Sequence, residues 1–276
     1  MNPVLFVCVF TFLIHLSETL ALSMRLAGVR TRQVATSISF VNASFLVSRM
    51  SNMFQAPLLG AMVDAAVNPH SALTPEMLGT AFRWIIFAAF WGNLAGAFLT
   101  PTFARVFEKG IYIFEKEGSI PHLIFAAMKP RNMKLLIKSF RFPSPASLKG
   151  IRWNAIPHTF IYLNVAMVSI YAIGVLASLY AGAQLPAFRA TAANLSGIVN
   201  GMATILLAIM VDPSGARIVD QAVQGKRPEA DARSMVFFLI SGRVVGTLLL
   251  SQLLFWPATT YIMAATRMVA SWFGGH

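Results

Sequence analysis

Charge and cysteine are what this sequence has least of. Of its 276 residues 12% are Asp, Glu, Lys or Arg, against 57% apolar. The single cysteine, Cys8, excludes an intrachain disulfide and a cysteine-rich metal site. Five histidines, at positions 15, 70, 122, 158 and 276, lack metal-ligand spacing. The chain has no Walker loop, no Ser-His-Asp order that can be placed, and no paired carboxylates within one helix. It therefore carries no familiar ATPase or hydrolase site, and neither metal, cofactor nor nucleic acid is expected.

What the chain does have is long apolar runs. Roughly 20 apolar residues span a bilayer as a helix. Six segments reach that length: Pro3 to Met24, Val34 to Val63, Trp84 to Phe103, His158 to Ala181, Thr191 to Val211 and Met235 to Trp256. Strands would leave backbone groups unsatisfied in lipid, and the runs lack a barrel's alternation. The expected fold is an all-α polytopic membrane protein with about six transmembrane helices, a single membrane domain over residues 1–276. The first run has no Lys or Arg before it and is interrupted by His15 and Glu18, so a retained helix is expected rather than a cleaved signal.

The 22 basic residues divide unevenly between loops. The first loop has Arg25, Arg30 and Arg32. Ten fall in the third, residues 104–157, and the fifth has Arg217, Lys226, Arg227 and Arg233. The opposite side keeps Arg83, Arg189 and Arg267. Basic residues near helix ends stay in the cytoplasm, so the third loop is expected there and both termini outside. Within that loop "RNMKLLIKSFR", Arg131 to Arg141, puts Met133, Leu136, Ile137 and Phe140 on one helical face and Arg131, Lys134, Lys138 and Arg141 on the other. This suits a helix lying on an anionic leaflet, or a solvated helix packed on its own loop. The prolines of "RFPSPASLKG" then stop it.

Ionisable groups inside three of the apolar segments need a reason, since each costs about 2.5 to 3.5 kcal/mol at mid-membrane on insertion scales. In the first, Thr11, His15, Glu18 and Arg25 fall within about 80° of arc. In the second, Asn42, Arg49 and Asn52 repeat that spacing, with Ser48 and Gln55 at the edge. The sixth holds Arg243. Arg49 lies near mid-bilayer, Glu18 in the cytoplasmic half and Arg25 at its mouth. Glu18 can neutralise Arg49 or Arg243 as a structural pair. The arginines outnumber it, however, and an excess of buried cation suits an anionic visitor, phosphate foremost because guanidinium forks onto its oxygens. Pro57 should kink the second helix, and "GRVVG", residues 242–246, is a small-xxx-small pattern that gives slight support for close packing.

Four stretches resemble the Amj family, alternate lipid II flippases of bacteria: "SMRLAGVRTRQVA" (23–35), "LVSRMSNMFQAPLLGAMVD" (46–64), "MVDPSGARIVDQAVQGK" (210–226) and "SGRVVGTLLLSQLLFWP" (241–257). The resemblance implies a plasma-membrane transporter that moves undecaprenyl-pyrophosphate-linked disaccharide pentapeptide, lipid II, to the outer leaflet for peptidoglycan synthesis. On that reading Arg25 and Arg243 receive the pyrophosphate, Arg49 holds it at midplane, and Asn42, Asn52 and Gln55 contact sugar or peptide. Glu18 and His15 compete for the arginines when the site is empty. Six helices make a small transporter, for which a homodimer is a natural arrangement; membrane lipids are the other partner. Two other classes stand beside it. An intramembrane undecaprenyl-pyrophosphate phosphatase would share the substrate but needs carboxylates beyond Glu18. A scaffold of the cell-wall machinery would not need polar stripes in helices.

Overall fold

A computed structural model of the chain describes residues 3–119, 129, 138–141, 143, 144 and 150–273, and among these every regular element is helical. Six long helices follow in order: α1 (Pro3–Thr31), α2 (Val34–Val67), α3 (Pro75–Glu117), α4 (His158–Gln184), α5 (Pro186–Val223) and α6 (Glu229–Ser271). Five of them, all but α2, are long and apolar enough to cross a membrane. α2 has the length, at 34 residues, but its serines, amides and Arg49 make it too polar to qualify by composition. The expected multi-pass α-helical fold is therefore present, with one of the six expected spans set apart by its polarity.

Local chemistry explains the helix ends. α1 and α2 are joined by a two-residue turn in which Arg32 takes a left-handed φ of 59°. The Ser37 hydroxyl then donates to the Met24 carbonyl at 2.7 Å, pinning the hairpin. α3 starts where Thr74 caps the Met77 amide, with Pro75 and Glu76 in the first turn. It stops at Gly118, φ 67°, a left-handed C-terminal residue. At 43 residues α3 is about 65 Å long at 1.5 Å per residue, roughly twice the ~30 Å hydrocarbon core. Residues 104–117, expected to open the basic loop, are thus helical. The loop proper begins at Gly118. Most of the expected amphipathic helix, residues 131–137, lies outside the described residues. Its end returns to α3: the Thr102 hydroxyl exchanges hydrogen bonds with the Arg141 backbone, both 2.9 Å, and Lys109 Nζ donates to Ser139 Oγ at 2.7 Å.

Both α5 and α6 contain a π-helical turn, at Leu207–Val211 and Gly246–Leu250, where the Asp212 and Ser251 amides reach back five residues. In α5 it runs into Pro213, which cannot donate to the helical ladder.

Three apolar clusters are present among the described residues: a small one of Met24, Ala27, Phe40 and Ile111 joins α1, α2 and α3, and two larger ones hold the bundle. One contains Val7, Ile86, Ile173 and Phe255; the other contains Leu26, Ala104, Phe160 and Ile240. On each of α1, α3, α4 and α6 the chain passes from one cluster to the other through polar residues: Glu18, Asn93, Ser169 and Thr247 respectively. A polar belt therefore crosses the bundle between two dry layers.

Candidate functional site

The belt is built on the α1 stripe. A carboxylate removed from water must be paired and hydrogen-bonded, and Glu18 is both. Its Oε2 lies 3.0 Å from Arg243 Nη1, its Oε1 accepts from Ser48 Oγ at 2.9 Å, and the two charged side chains are 9% and 16% exposed. One turn away, fully buried Asn93 accepts from Thr19 Oγ1 at 2.7 Å. Its Nδ2 donates to Thr247 Oγ1 at 3.2 Å and lies 3.4 Å from both the Arg243 carbonyl and His15 Nδ1. Towards the other end Gln55 Nε2 donates to Thr11 Oγ1 at 2.9 Å. The α1 stripe is thus answered by α2, α3 and α6. Of the two arginines that Glu18 could neutralise, it takes Arg243.

That choice leaves Arg49 with no acidic partner among the described residues. It borders a cavity of about 160 Å³ whose polar lining is Thr11, His15, Ser48, Arg49, Asn52, Gln55, Tyr171 and Asn200. Two of these carry buried acceptors without a hydrogen bond: Gln55 Oε1 and Asn200 Oδ1. Native buried carbonyls are nearly always satisfied. A guanidinium beside two unsatisfied amide oxygens and a phenol matches an anion that also carries hydroxyl or N–H donors. The cavity is smaller than the ~300–1,000 Å³ of sites for drug-sized ligands, so it has room for a small polar group.

The sequence-predicted residues divide accordingly. His15, Arg49, Asn52 and Gln55 line the cavity, and Glu18 and Arg243 form the pair beside it. Arg49 and Asn52 are exposed, so Arg49 is not the buried cation expected, and it is the edge residues Ser48 and Gln55 that α2 buries. Arg25 is elsewhere, 2.8 Å from Asp212 of α5, and Asn42 is exposed on α2 away from the cavity lining. Asn93, Tyr171 and Asn200 are the site residues that sequence reading missed. Each lies in an apolar span, 84–103, 158–181 or 191–211, that holds no Asp, Glu, Lys or Arg to draw attention to it. Among the described residues no cluster of His, Cys, Asp or Glu could hold a metal ion.

The comparisons with known proteins agree with one another. The family described as "Amj: Alternate to MurJ" matches residues 10–266. A protein of Bacillus subtilis (strain 168) named Lipid II flippase Amj is 37% identical over 267 residues, covering 96% of this chain and 97% of that protein. No solved structure matches.

Proposed function

We propose that this chain, which belongs to the Amj family, is a lipid II flippase: a multi-pass plasma-membrane transporter, not an enzyme. Beyond its relative's name, the observation that carries this reading is Arg49. It is a permanent cation without an acidic partner among the described residues, set against a polar cavity between apolar helices. In such surroundings a fixed guanidinium replaces part of the water that a pyrophosphate loses.

The residues then take distinct roles. Arg25, held by Asp212, stands at the cytoplasmic mouth, and phosphate must displace the carboxylate to engage it. Arg243 and Glu18 form an internal lock, supported by Ser48 and, through Asn93, by His15. Arg49 meets the pyrophosphate once past this lock. The open acceptors of Gln55 and Asn200 suit sugar hydroxyls or amide N–H groups, with Asn52 beside them. Asn42, exposed on α2, meets the headgroup on the approach. In this arrangement the third loop faces the cytoplasm and both termini face outward.

The test is reconstitution into liposomes with a fluorescent polyprenyl-pyrophosphate disaccharide. Transfer of label between leaflets without phosphate release is the expected result. Release of phosphate, or no transfer by protein of native fold, would overturn it.

A further inference from the structure

A second cavity, of about 560 Å³, lies between α3 and α6 on a different side of the Glu18–Arg243 pair. Its body is apolar: Leu94, Ala97, Phe98 and Pro101 of α3 face Val236, Ile240 and Val244 of α6. Phe98 and Val245, 51% and 46% exposed, mark where it opens sideways. Its rim at the loop-bearing end is basic, with Arg30, Arg105 and Arg233. Leu94 to Arg105 is 11 residues of helix, about 16 Å.

The rim charges are not balanced. Arg30 is held by Glu108 at 2.7 Å and Glu229 at 2.8 Å. Arg233 shares Glu229 at 3.4 Å, but its Nε is buried with no hydrogen-bond partner. Arg105 has no acidic partner among the described residues. Two guanidiniums therefore have donors to spare at one end of an apolar slot. A lipid has this layout, with its phosphate at one end and its apolar chain running from it.

We infer that the α3–α6 groove is the loading site for the lipid-linked precursor, with Arg105 and Arg233 holding the pyrophosphate and the groove holding the first isoprene units of the tail. This rests on the flippase reading and adds a binding site to it. The far end of the groove, at Leu94, Val244 and Val245, adjoins Asn93 and Arg243. A headgroup leaving the rim thus meets the Arg243–Glu18 lock next and the Arg49 cavity after it, while the tail need not leave lipid.

The test uses full-length protein in liposomes and a polyprenyl-pyrophosphate disaccharide with a diazirine on its first isoprene units. After irradiation, label is expected on the peptides that contain Phe98 and Val245. Arg105→Gln with Arg233→Gln should lower that labelling roughly tenfold, as loss of a charge-assisted hydrogen bond predicts. Val245→Trp, which fills the slot without altering charge, should also lower it, so the inference does not depend on one variant's folding. Label placed elsewhere, or a signal indifferent to both variants, would overturn the loading site. Equal competition by excess phosphatidylglycerol would do the same, showing a general anionic-lipid groove. Flipping is read in the same liposomes: transfer without groove labelling sinks only this inference, whereas groove labelling without transfer sinks the flippase reading.

Discussion

Arg49 and Arg243 bring the same charge into one bundle and differ in what answers it. Arg243 has Glu18 at 3.0 Å; Arg49 has a cavity. Their substitutions should therefore separate. Arg49→Ala is expected to abolish flipping at normal membrane abundance, and Arg49→Lys to restore little, because an ammonium lacks the planar fork. Arg243→Met strands a buried carboxylate and should destabilise by about 3–5 kcal/mol, visible as lost protein on a membrane blot. Adding Glu18→Gln removes the stranded charge and should return abundance, while leaving unanswered phosphate where the lock stood. Should Arg49→Ala instead deplete the protein and Arg243→Met leave it intact, the assignment of structural and binding arginines is reversed. The sequence spacing placed Thr11, His15, Glu18 and Arg25 on one face of the first helix, and Asn42, Arg49 and Asn52 on one face of the second with Ser48 and Gln55 at its edge. It was silent on which arginine Glu18 selects, since that contact joins residues 225 positions apart. Asn93 was missed for the same reason: its partners come from α1 and α6.

Between elements, fit is set by close backbone approach as much as by charge. A Cβ at Gly92 of α3 would stand 2.5 Å from the Phe12 carbonyl of α1, and a backbone oxygen has little room to retreat. Gly92→Ala should thus cost about 1–3 kcal/mol, the range for overpacking a tight contact. Gly197, on the exposed face of α5, has nothing within 4 Å of its would-be Cβ. There alanine should be neutral or stabilising by up to ~1 kcal/mol from helix propensity. Thermal unfolding of the two variants in detergent checks the contrast, and equal melting temperatures would refute the close α1–α3 contact. Some of this was readable beforehand. Gly242 and Gly246 of "GRVVG" do face α4, beside Asn164 and Ser169. α3 was placed correctly but cut short, from Trp84 to Phe103. Its true start is written in Thr74-Pro75-Glu76, a capping signal that apolarity alone overlooks, and its far end, residues 104–117, carries Arg105, Glu108, Lys109, Glu115 and Lys116, charges that end an apolar run without ending the helix.

For the molecule as a whole, charge is concentrated at one end. The ion pairs Arg25–Asp212, Arg30–Glu108, Arg30–Glu229 and Arg152–Asp231 tie α1, α3, α5 and α6 together near the basic loops. At the opposite end the structure shows Arg189–Asp64, both side chains well exposed. Ion pairs at a surface contribute little stability, so their crowding at one end is not what holds the fold. This gives orientation a consequence that can be measured. In a Cys8-free protein, a cysteine at Ser71, between α2 and α3, should react with an impermeant maleimide in intact cells. One at Ser119, just past the C-terminal end of α3, should react only once the membrane is opened. The reverse pattern would invert the topology and move the α3–α6 groove, with Arg105 and Arg233, to the outer leaflet. The groove would then be an exit for the lipid instead of its entrance, and the order of events, from rim to Arg243–Glu18 to Arg49, would run backwards through the same residues. Reaction at both positions in intact cells would instead exclude any arrangement in which α3 crosses the membrane, and with it a polar belt held at mid-bilayer.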